Sequence, residues 1–307
     1  MESTTSGIGV LTLAFGNRRF IRQAENLALS LRENMPNLPI ALVVDNPAYS
    51  HRAFDQIIAL DPSLGTGVVQ KLHLHQYSPF QETLFIDADS LCLKPFDEQL
   101  ANIRKYEFSP IWSGFKFRGQ SDPYLADLDH TLDLLKIDRL PKFNGGVYYF
   151  DKSAFAQRVF ALAQEIHERQ SDLKIRNFDS GGPNDETIFG LAIECAGREP
   201  YNAWGKFMKT PIRAIKPVKL DPKARVCEFV DKHGLQEPAI LHFAGPWTRS
   251  LEYKFCAWYF RSRPNDASYR LGKALFRGLQ AIVYYPCSRS ISLLIFLFKL
   301  TRQKKAA

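Results

Sequence analysis

The stretch ETLFIDAD, residues 82–89, runs from an apolar segment directly into two carboxylates. Its apolar part has the length and the β-branched and aromatic content of a buried strand. Asp87 and Asp89 are one residue apart, and on an extended chain their side chains point the same way. With the small Ala88 between them, the pair suits a hard divalent cation, Mg²⁺ or Mn²⁺. Because such pairs also occur by chance in solvated turns, the pattern alone decides little.

The residues before this stretch alternate between strand and helix patterns. Residues 8–15 and 39–45 are apolar runs typical of buried strands, and residues 18–32 carry apolar side chains at helical spacing. A third strand is predicted over residues 54–60 and a helix over residues 66–77. This alternation predicts an α/β fold with parallel strands covered by helices. Ligands of such sheets bind at the carboxyl ends of the strands, so residues directly after strands are candidates for a site.

The chain beyond this region is less regular. Residues 108–140 are rich in Gly, Asp and aromatic side chains and lack clean periodicity. We interpret them as a long excursion with a helix near residues 125–135. The elements predicted after it are a strand, two helices and a final strand, over residues 143–150, 153–170, 185–195 and 239–243.

Composition and charge exclude several classes of protein. The chain has 307 residues, 45% of them hydrophobic and 23% charged, so it can bury a full core and is neither mainly disordered nor fibrous. Residues 261–307 hold ten Lys and Arg and one Asp, a charge of +9; since the whole chain carries +8, residues 1–260 carry −1. We therefore divide the chain into a globular domain, residues 1–260, and a basic tail. No basic face for nucleic acid is indicated on the globular part.

Cysteine spacing and the start of the chain bear on the compartment. The five cysteines are scattered, odd in number and never in a C-x-x-C pair, which indicates neither a disulfide framework nor a zinc site. Residues 1–9 lack the basic and apolar regions of a secretory signal. We expect reduced thiols and a cytoplasmic protein.

Residues 281–307 contain the apolar run SISLLIFLF, which is followed by four basic side chains. Pro286 and Arg289 interrupt this segment, and it is too short for a spanning helix of about 20 apolar residues. It fits an amphipathic helix lying on an anionic membrane surface, which would make the protein peripheral on the cytoplasmic face. A terminal helix docked on the core or in a homodimer interface is the alternative.

Five blocks of the sequence follow one another in the order of a known family. They are VLTLAFGNRRFIRQAENLALSLR, KLHLHQYSPFQETLFIDADSLCLKPF, FNGGVYYFDKS, GGPNDETIFG and LHFAGPW. Together they resemble the glycogenin-like and galactinol-synthase-like retaining glycosyltransferases, glycosyltransferase family eight, over residues 9–247. The resemblance implies a GT-A-type fold, in which a Rossmann-like nucleotide-binding sheet is extended on the acceptor side. It also implies transfer of a hexose from a UDP-sugar, glucose or galactose, to an acceptor such as a glycan or a lipid-linked group, with Mn²⁺ or Mg²⁺ as cofactor.

The resemblance also implies site residues. The metal ligands would be Asp87, Asp89 and His242. The donor nucleotide and its metal would be bound by Leu13, Ala14, Phe15, Asn17, Phe20, Lys71, Asp87, Ala88, Asp89, Gly145, Gly245 and Arg249. Catalytic roles around the donor sugar would fall to Asn144, Asp185 and Glu186, with Asp185 stabilising positive charge on the sugar or acting as a nucleophile.

Each assignment has a structural alternative. A histidine after a strand is commonly a hydrogen-bonded structural residue, and Asn17 stands where a helix begins. Lys71 fits a solvated helix lysine. The double glycine before Val147 fits a bulge or a tight packing point. Asp185 fits an N-cap or first-turn aspartate.

Two positions depart from the family pattern. Glu186 replaces the glutamine that follows the family's aspartate, which adds a charge near the sugar. Thr248 stands where a phosphate-binding lysine is expected, and Arg249 or Lys254 is the cation that could replace it. These departures leave a second hypothesis open, a catalytically weak nucleotide-sugar-binding or scaffold protein at a membrane. A nucleotidyltransferase would share the strand-end carboxylates but lacks the blocks around Asn144 and His242.

Overall fold

A computed structural model describes residues 7–178, 181–202, 206–214 and 218–282 of the chain. The strands in chain order are β1 (Ile8–Leu13), β2 (Ile40–Val44), β3 (Gln56–Ala59), β4 (Glu82–Ile86), β5 (Ser90–Cys92), β6 (Phe108–Phe117), β7 (Arg139–Asp151), β8 (Met208–Lys209), β9 (Lys219–Asp221), β10 (Val226–Asp231), β11 (Gly234–Gln236) and β12 (Ile240–His242). The α-helices are α1 (Arg18–Asn34), α2 (Leu74–Tyr77), α3 (Asp97–Ile103), α4 (Leu128–Leu135), α5 (Ala154–Glu168), α6 (Asp185–Ala196) and α7 (Leu251–Ser262).

The central sheet has six strands in the order β3-β2-β1-β4-β7-β6. The first four of these strands are parallel, whereas β7 is antiparallel to both β4 and β6. Strand β2 is buried along its whole length, which explains its continuous apolar sequence. The direction of the strand order reverses between β1 and β4, and ligands bind at this kind of switch point in open α/β sheets. The predicted α/β fold is confirmed.

Two smaller sheets extend the central one. Strand β12 pairs antiparallel with β5 and parallel with β8, so the chain after β4 meets segments that lie far away in sequence. Strands β9, β10 and β11 form a separate antiparallel sheet. The small sheet around β12 matters for function because it places His242, on β12, and Thr210, after β8, near the end of β4.

One prediction of local structure was wrong. Residues 108–140, interpreted as an excursion with one helix, begin with the ten-residue strand β6. Its sequence, FSPIWSGFKF, contains Pro and Gly, and its pairing with β7 has two register shifts, so the alternation of a regular strand is absent. The helical structure predicted over residues 66–77 is confirmed: the chain forms the 3₁₀ helix Gly67–His73, followed by the single turn of α2.

The first part of the predicted tail packs on the globular part. The chain is helical again from Asp266 to residue 282, and Tyr269 and Phe276 on this helix are buried in the core. Tyr269 donates a hydrogen bond to Asp221, which also forms an ion pair with Lys273. The boundary expected at residue 260 lies inside α7. Most of the apolar segment 281–307 lies outside the described residues.

No helix in the described part of the chain is long and apolar enough to cross a bilayer.

Candidate active site

The predicted metal ligands Asp87, Asp89 and His242 lie together at the end of β4. Backbone hydrogen bonds join the end of β4 to β7 and the residues after it to β12. The Asp87 N–H donates to the Gly146 carbonyl at 2.9 Å, which ties the end of β4 to β7. The Phe243 N–H donates to the Asp89 carbonyl at 3.0 Å, and His242 stands opposite Ser90 in the β5–β12 pair. The register of the small sheet therefore determines that His242 meets the two carboxylates.

The three side chains form a compact cluster of oxygen and nitrogen ligands. Nε2 of His242 lies 3.1 Å from Oδ1 of Asp89 and 3.8 Å from Oδ2 of Asp87. One ligand atom from each of the three lies within 4.8 Å of the others. The predicted reason for the convergence of the carboxylates was wrong: residues 87–89 are a turn, closed by a 3.0 Å bond from the Ser90 N–H to the Asp87 carbonyl, rather than extended chain.

His242 is buried and the two carboxylates are half-buried, so the charges of this cluster depend on each other. Burial disfavours the imidazolium of His242, but the carboxylate of Asp89 outweighs that effect and raises the pKa of His242. Burial also disfavours the charge of Asp89, and the facing His242 lowers the pKa of this carboxyl below its usual value. Two carboxylates and one imidazole are a donor set that suits Mn²⁺ and also accommodates Mg²⁺. The residues thus fit the cation that the family resemblance implies.

The far side of the His242 ring contacts Asn144. Nδ1 of His242 lies 2.7 Å from Oδ1 of Asn144, which also accepts the Gly146 N–H at 3.1 Å. A Cβ added to Gly146 would lie 2.7 Å from Nδ1 of His242, so only a glycine leaves room for the ring. The double glycine is therefore a close packing point, and it also lies where the pairing of β6 with β7 shifts register, so both structural alternatives for it are observed.

Lys71 links the cluster to the carboxylate of Asp185, which lies outside it. Nζ of Lys71, on the 3₁₀ helix Gly67–His73, donates to Oδ2 of Asp87 at 2.8 Å, to Oδ2 of Asp185 at 3.2 Å and to the Gly145 carbonyl at 3.2 Å. Burial works against the ammonium charge, but Asp185 and Asp87 outweigh it and keep the pKa of Lys71 above its usual value. Lys71 is thus a half-buried cation held between carboxylates of the site, rather than a solvated helix lysine.

Asp185 and Glu186 both point back to the strand β7. Asn184 is the N-cap of α6 and accepts the Thr187 N–H at 2.8 Å, so Asp185 stands in the first turn. Oδ2 of Asp185 accepts the Tyr148 hydroxyl at 2.9 Å. Oε1 of Glu186 accepts the Gly145 N–H at 2.8 Å. Burial and the neighbouring Asp185 raise the pKa of Glu186 to about 7.

A cavity of about 380 Å³ opens beside the metal cluster, at the switch point between β1 and β4. Predicted nucleotide-binding residues line it, namely Leu13, Ala14, Phe15, Phe20, Lys71, Asp87, Ala88 and Asp89. Gln23, Gly67 and Val68 also line the cavity but were not predicted. Asn17 instead caps α1 by accepting the Arg19 N–H at 2.8 Å.

The residues after β12 bring a turn and two exposed cations. Gly245 has a φ of 59°, a left-handed conformation that favours glycine, and it begins the 3₁₀ helix Gly245–Arg249. The Thr248 hydroxyl donates to the Gly245 carbonyl at 3.0 Å, so it satisfies this turn. Arg249 and Lys254 are both exposed. Their role as replacements for a phosphate-binding lysine stays a prediction.

Two residues near the cluster were not predicted. Tyr148 lies on β7, and its hydroxyl oxygen would be 3.0 Å from a Cβ added to Gly145. The pairing of β6 with β7 shifts register between Tyr148 and Asn144, so simple strand alternation does not indicate this contact. Thr210 follows the two-residue strand β8, and no pattern in the sequence connects it with His242.

Comparison with known proteins identifies the fold. No protein-family profile matches the chain, and neither does any curated protein sequence. The chain is similar to the galactosyltransferase LgtC, whose crystal structure contains donor and acceptor sugar analogues. The two sequences are 15% identical, and the structures match with a TM-score of 0.51 over 83% of this chain and 94% of LgtC. The apo structure of the bifunctional glycosyltransferase WbbM is 13% identical, with a TM-score of 0.50 over 80% of this chain. The match covers 47% of WbbM, about half its length. The chain has the GT-A glycosyltransferase fold.

Proposed function

We propose that this chain is a metal-dependent, retaining glycosyltransferase of the glycogenin-like family, which moves glucose or galactose from a UDP-sugar to a glycan or lipid-linked acceptor. The observation that carries the proposal is the convergence of Asp87, Asp89 and His242 beside a cavity at the switch point of a GT-A fold. A nucleotidyltransferase would need the carboxylates but not the histidine and glycine blocks that complete this site.

Different residues would bind the nucleoside and the diphosphate of the donor. The cavity walls at Leu13, Phe15 and Phe20 offer apolar surface for the uracil base and backbone groups for the ribose. A Mn²⁺ or Mg²⁺ ion held by Asp87, Asp89 and His242 would supply the positive charge that a departing diphosphate needs.

On the sugar side, Asp185 is held in place by Tyr148 and Lys71. Such a fixed carboxylate stabilises positive charge that develops on the sugar as the diphosphate departs. The acceptor hydroxyl would then attack from the face that the diphosphate leaves. Double displacement with Asp185 as the nucleophile is the alternative route to retention.

A donor screen tests the proposal. The full chain is incubated with Mn²⁺ and single UDP-sugars, and UDP and transferred sugar are measured by mass spectrometry. We expect UDP release from UDP-glucose or UDP-galactose, with loss of release in Asp89→Asn. Asp133→Asn is the matched control, because Asp133 is an exposed aspartate on α4 away from the cluster.

Glu186 favours one alternative function, a nucleotide-sugar-binding protein with weak catalysis. Its carboxyl is half-buried beside Asp185, and its pKa of about 7 leaves a partly charged group where the family that the chain resembles has a neutral amide. Binding of UDP measured by calorimetry separates the two functions. Tight binding without turnover, even when acceptors are supplied, would favour the alternative, whereas turnover favours the enzyme.

We further propose that the C-terminal part contacts an anionic membrane surface on the cytoplasmic face. Four apolar side chains at helical spacing form a stripe on the last helix that faces away from its buried side. They are Leu271, Leu275, Leu279 and Ile282, with 64%, 60%, 47% and 68% of their surface exposed. Arg270 and Arg277 on the same helix are exposed as well, and the tail carries a charge of +9. Apolar area combined with basic charge is what binds interfacial helices to anionic lipid.

Vesicle co-sedimentation tests this surface. Full-length protein with Leu275→Asp and Leu279→Asp should bind anionic vesicles more weakly than the wild type and Leu235→Asp. Leu235 is the control, since it is 60% exposed on β11, away from the helix. Equal sedimentation of all three proteins would dismiss the membrane surface and leave a core-docked or dimer-forming tail.

A further inference from the structure

We propose that Asn144 and Thr210 are positioning residues, which hold His242 in the one tautomer that can bind a metal. The inference rests on the proposed metal centre and goes beyond it, because it gives Asn144 a role other than contact with the donor sugar and adds a residue that no sequence pattern indicates.

The backbone fixes which way the Asn144 side chain points. The Gly146 N–H can only donate, and it lies 3.1 Å from the amide oxygen of Asn144. Turning the amide over would place two donors against each other. The oxygen therefore stays on this side, where it also faces Nδ1 of His242 at 2.7 Å.

Asn144 favours one of the two ring nitrogens of His242 as the site of the hydrogen. An amide oxygen can only accept, so it favours a hydrogen on Nδ1. Nε2 faces the Asp89 carboxylate at 3.1 Å, so it is the nitrogen that would give its lone pair to a cation bound there, in place of a hydrogen donated to Asp89. Metal-bound histidines commonly donate their other ring N–H to such an acceptor, which fixes the ring and increases the basicity of the ligand nitrogen.

Thr210 completes the arrangement. Strand β8 pairs in parallel with β12, with Met208 opposite Ile240 and Lys209 opposite Leu241, so the next residue on each strand is Thr210 and His242. The Thr210 hydroxyl oxygen accepts from Nδ2 of Asn144 at 3.1 Å and lies 3.3 Å from Nδ1 of His242. Both ends of the Asn144 amide are thus engaged within the protein.

Direct measurement of Mn²⁺ binding to the nucleotide-free protein tests the inference. We expect Asn144→Leu to raise the Kd for Mn²⁺ by about 10- to 100-fold, the usual effect of losing such a partner. Asn144→Asp keeps an acceptor at Nδ1 and should bind Mn²⁺ within a few-fold of the wild type. Thr210→Val should weaken binding less than Asn144→Leu, and Thr210→Ser should retain it. Far-ultraviolet circular dichroism and the Tm check that each variant is folded.

A second readout follows the ring itself, with the diamagnetic Mg²⁺ in place of Mn²⁺. Nitrogen-15 spectra of the imidazole in protein saturated with Mg²⁺ should show His242 with the hydrogen on Nδ1 in the wild type and Asn144→Asp. In Asn144→Leu the hydrogen should be on Nε2 in a measurable fraction of molecules. A wild-type ring that keeps its hydrogen on Nε2 when the cation is bound would overturn the inference even if Asn144→Leu does not fold.

The outcomes separate this inference from the proposed function. A wild-type protein that binds no divalent cation refutes the metal centre of the proposed function, on which this inference rests. If the wild type binds Mn²⁺ and Asn144→Leu binds it equally well but has a higher KM for the UDP-sugar, Asn144 is a sugar contact and the positioning role is wrong.

Discussion

Nζ of Lys71 lies 2.8 Å from Oδ2 of Asp87, a carboxylate that is also a predicted metal ligand. The same ammonium group reaches Asp185, so one lysine balances two carboxylates in a part of the protein that is largely shielded from water. Removing one partner of a buried ion pair leaves the other charge uncompensated, which costs more than the pair itself contributes. We therefore expect Lys71 to stabilise the site in the absence of a bound cation.

Replacement of this lysine should destabilise the metal-free protein. We expect Lys71→Met to lower the free energy of unfolding by about 3 kcal/mol, because Asp87 and Asp185 lose their counter-charge. Saturating Mn²⁺ should reduce the difference in the free energy of unfolding between Lys71→Met and the wild type. Lys219→Met is the control, since Lys219 pairs with Glu228 at an exposed position and should cost less than about 1 kcal/mol. Equal denaturation midpoints for the two variants in urea would contradict this role.

A methyl group at Gly146 should disturb the metal cluster. The added Cβ would lie 2.7 Å from Nδ1 of His242, so the ring must shift. We expect Gly146→Ala to weaken Mn²⁺ binding by about tenfold or more and to lower the free energy of unfolding by about 1–3 kcal/mol. Gly278→Ala, on the last helix with open space around it, should be neutral or stabilising by about 0.4–1 kcal/mol. Calorimetric titration with Mn²⁺ decides, and unchanged binding by Gly146→Ala would refute the tight fit.

Glu186 should make the stability depend on pH. Its pKa in the folded protein is raised from 4.5 to about 7, so the folded state holds the proton more tightly than the unfolded chain does. The resulting stabilisation is complete below about pH 4.5 and is lost as the pH rises to about 7, a change of about 3 kcal/mol at most. Glu186→Gln removes this dependence and keeps an acceptor for the Gly145 N–H.

Denaturation at about pH 5 and about pH 8 measures the effect. The free energy of unfolding of Glu186→Gln minus that of the wild type should be larger at the higher pH, because only the wild type loses stability as the pH rises. Glu168→Gln, at an exposed position on α5, should show no such difference. A pH-independent difference for Glu186→Gln would show that the Glu186 carboxyl titrates normally.

The sequence predicted the elements that carry the site because each leaves a local signal. Strands β1 and β4 are mainly apolar runs. Asp87 comes directly after the apolar residues of β4, and His242 lies near the end of the last predicted strand. The family blocks then linked these positions across the chain. Strand β6 escaped prediction because Pro110 and Gly114 break its alternation and its pairing shifts register twice.

The supporting contacts could not be predicted because they depend on three-dimensional pairing. Thr210 meets His242 only through the register of β8 and β12, and β8 is two residues long. Lys71 approaches Asp185 because a 3₁₀ helix and α6 meet at β7. The convergence of Asp87 and Asp89 results from a turn, which the spacing of the two residues does not distinguish from extended chain.

The most direct test of the central claim is the rate of UDP release from UDP-glucose and UDP-galactose, with Mn²⁺ and with a chelator, for the wild type and Asp89→Asn. We predict release by the wild type that requires the cation. Asp89→Asn should reduce the rate by more than about 100-fold, since even an indirect partner of a metal costs 10- to 100-fold. A folded wild-type protein that turns over equally well in chelator, or an Asp89→Asn variant with undiminished turnover, would contradict a metal-dependent glycosyltransferase.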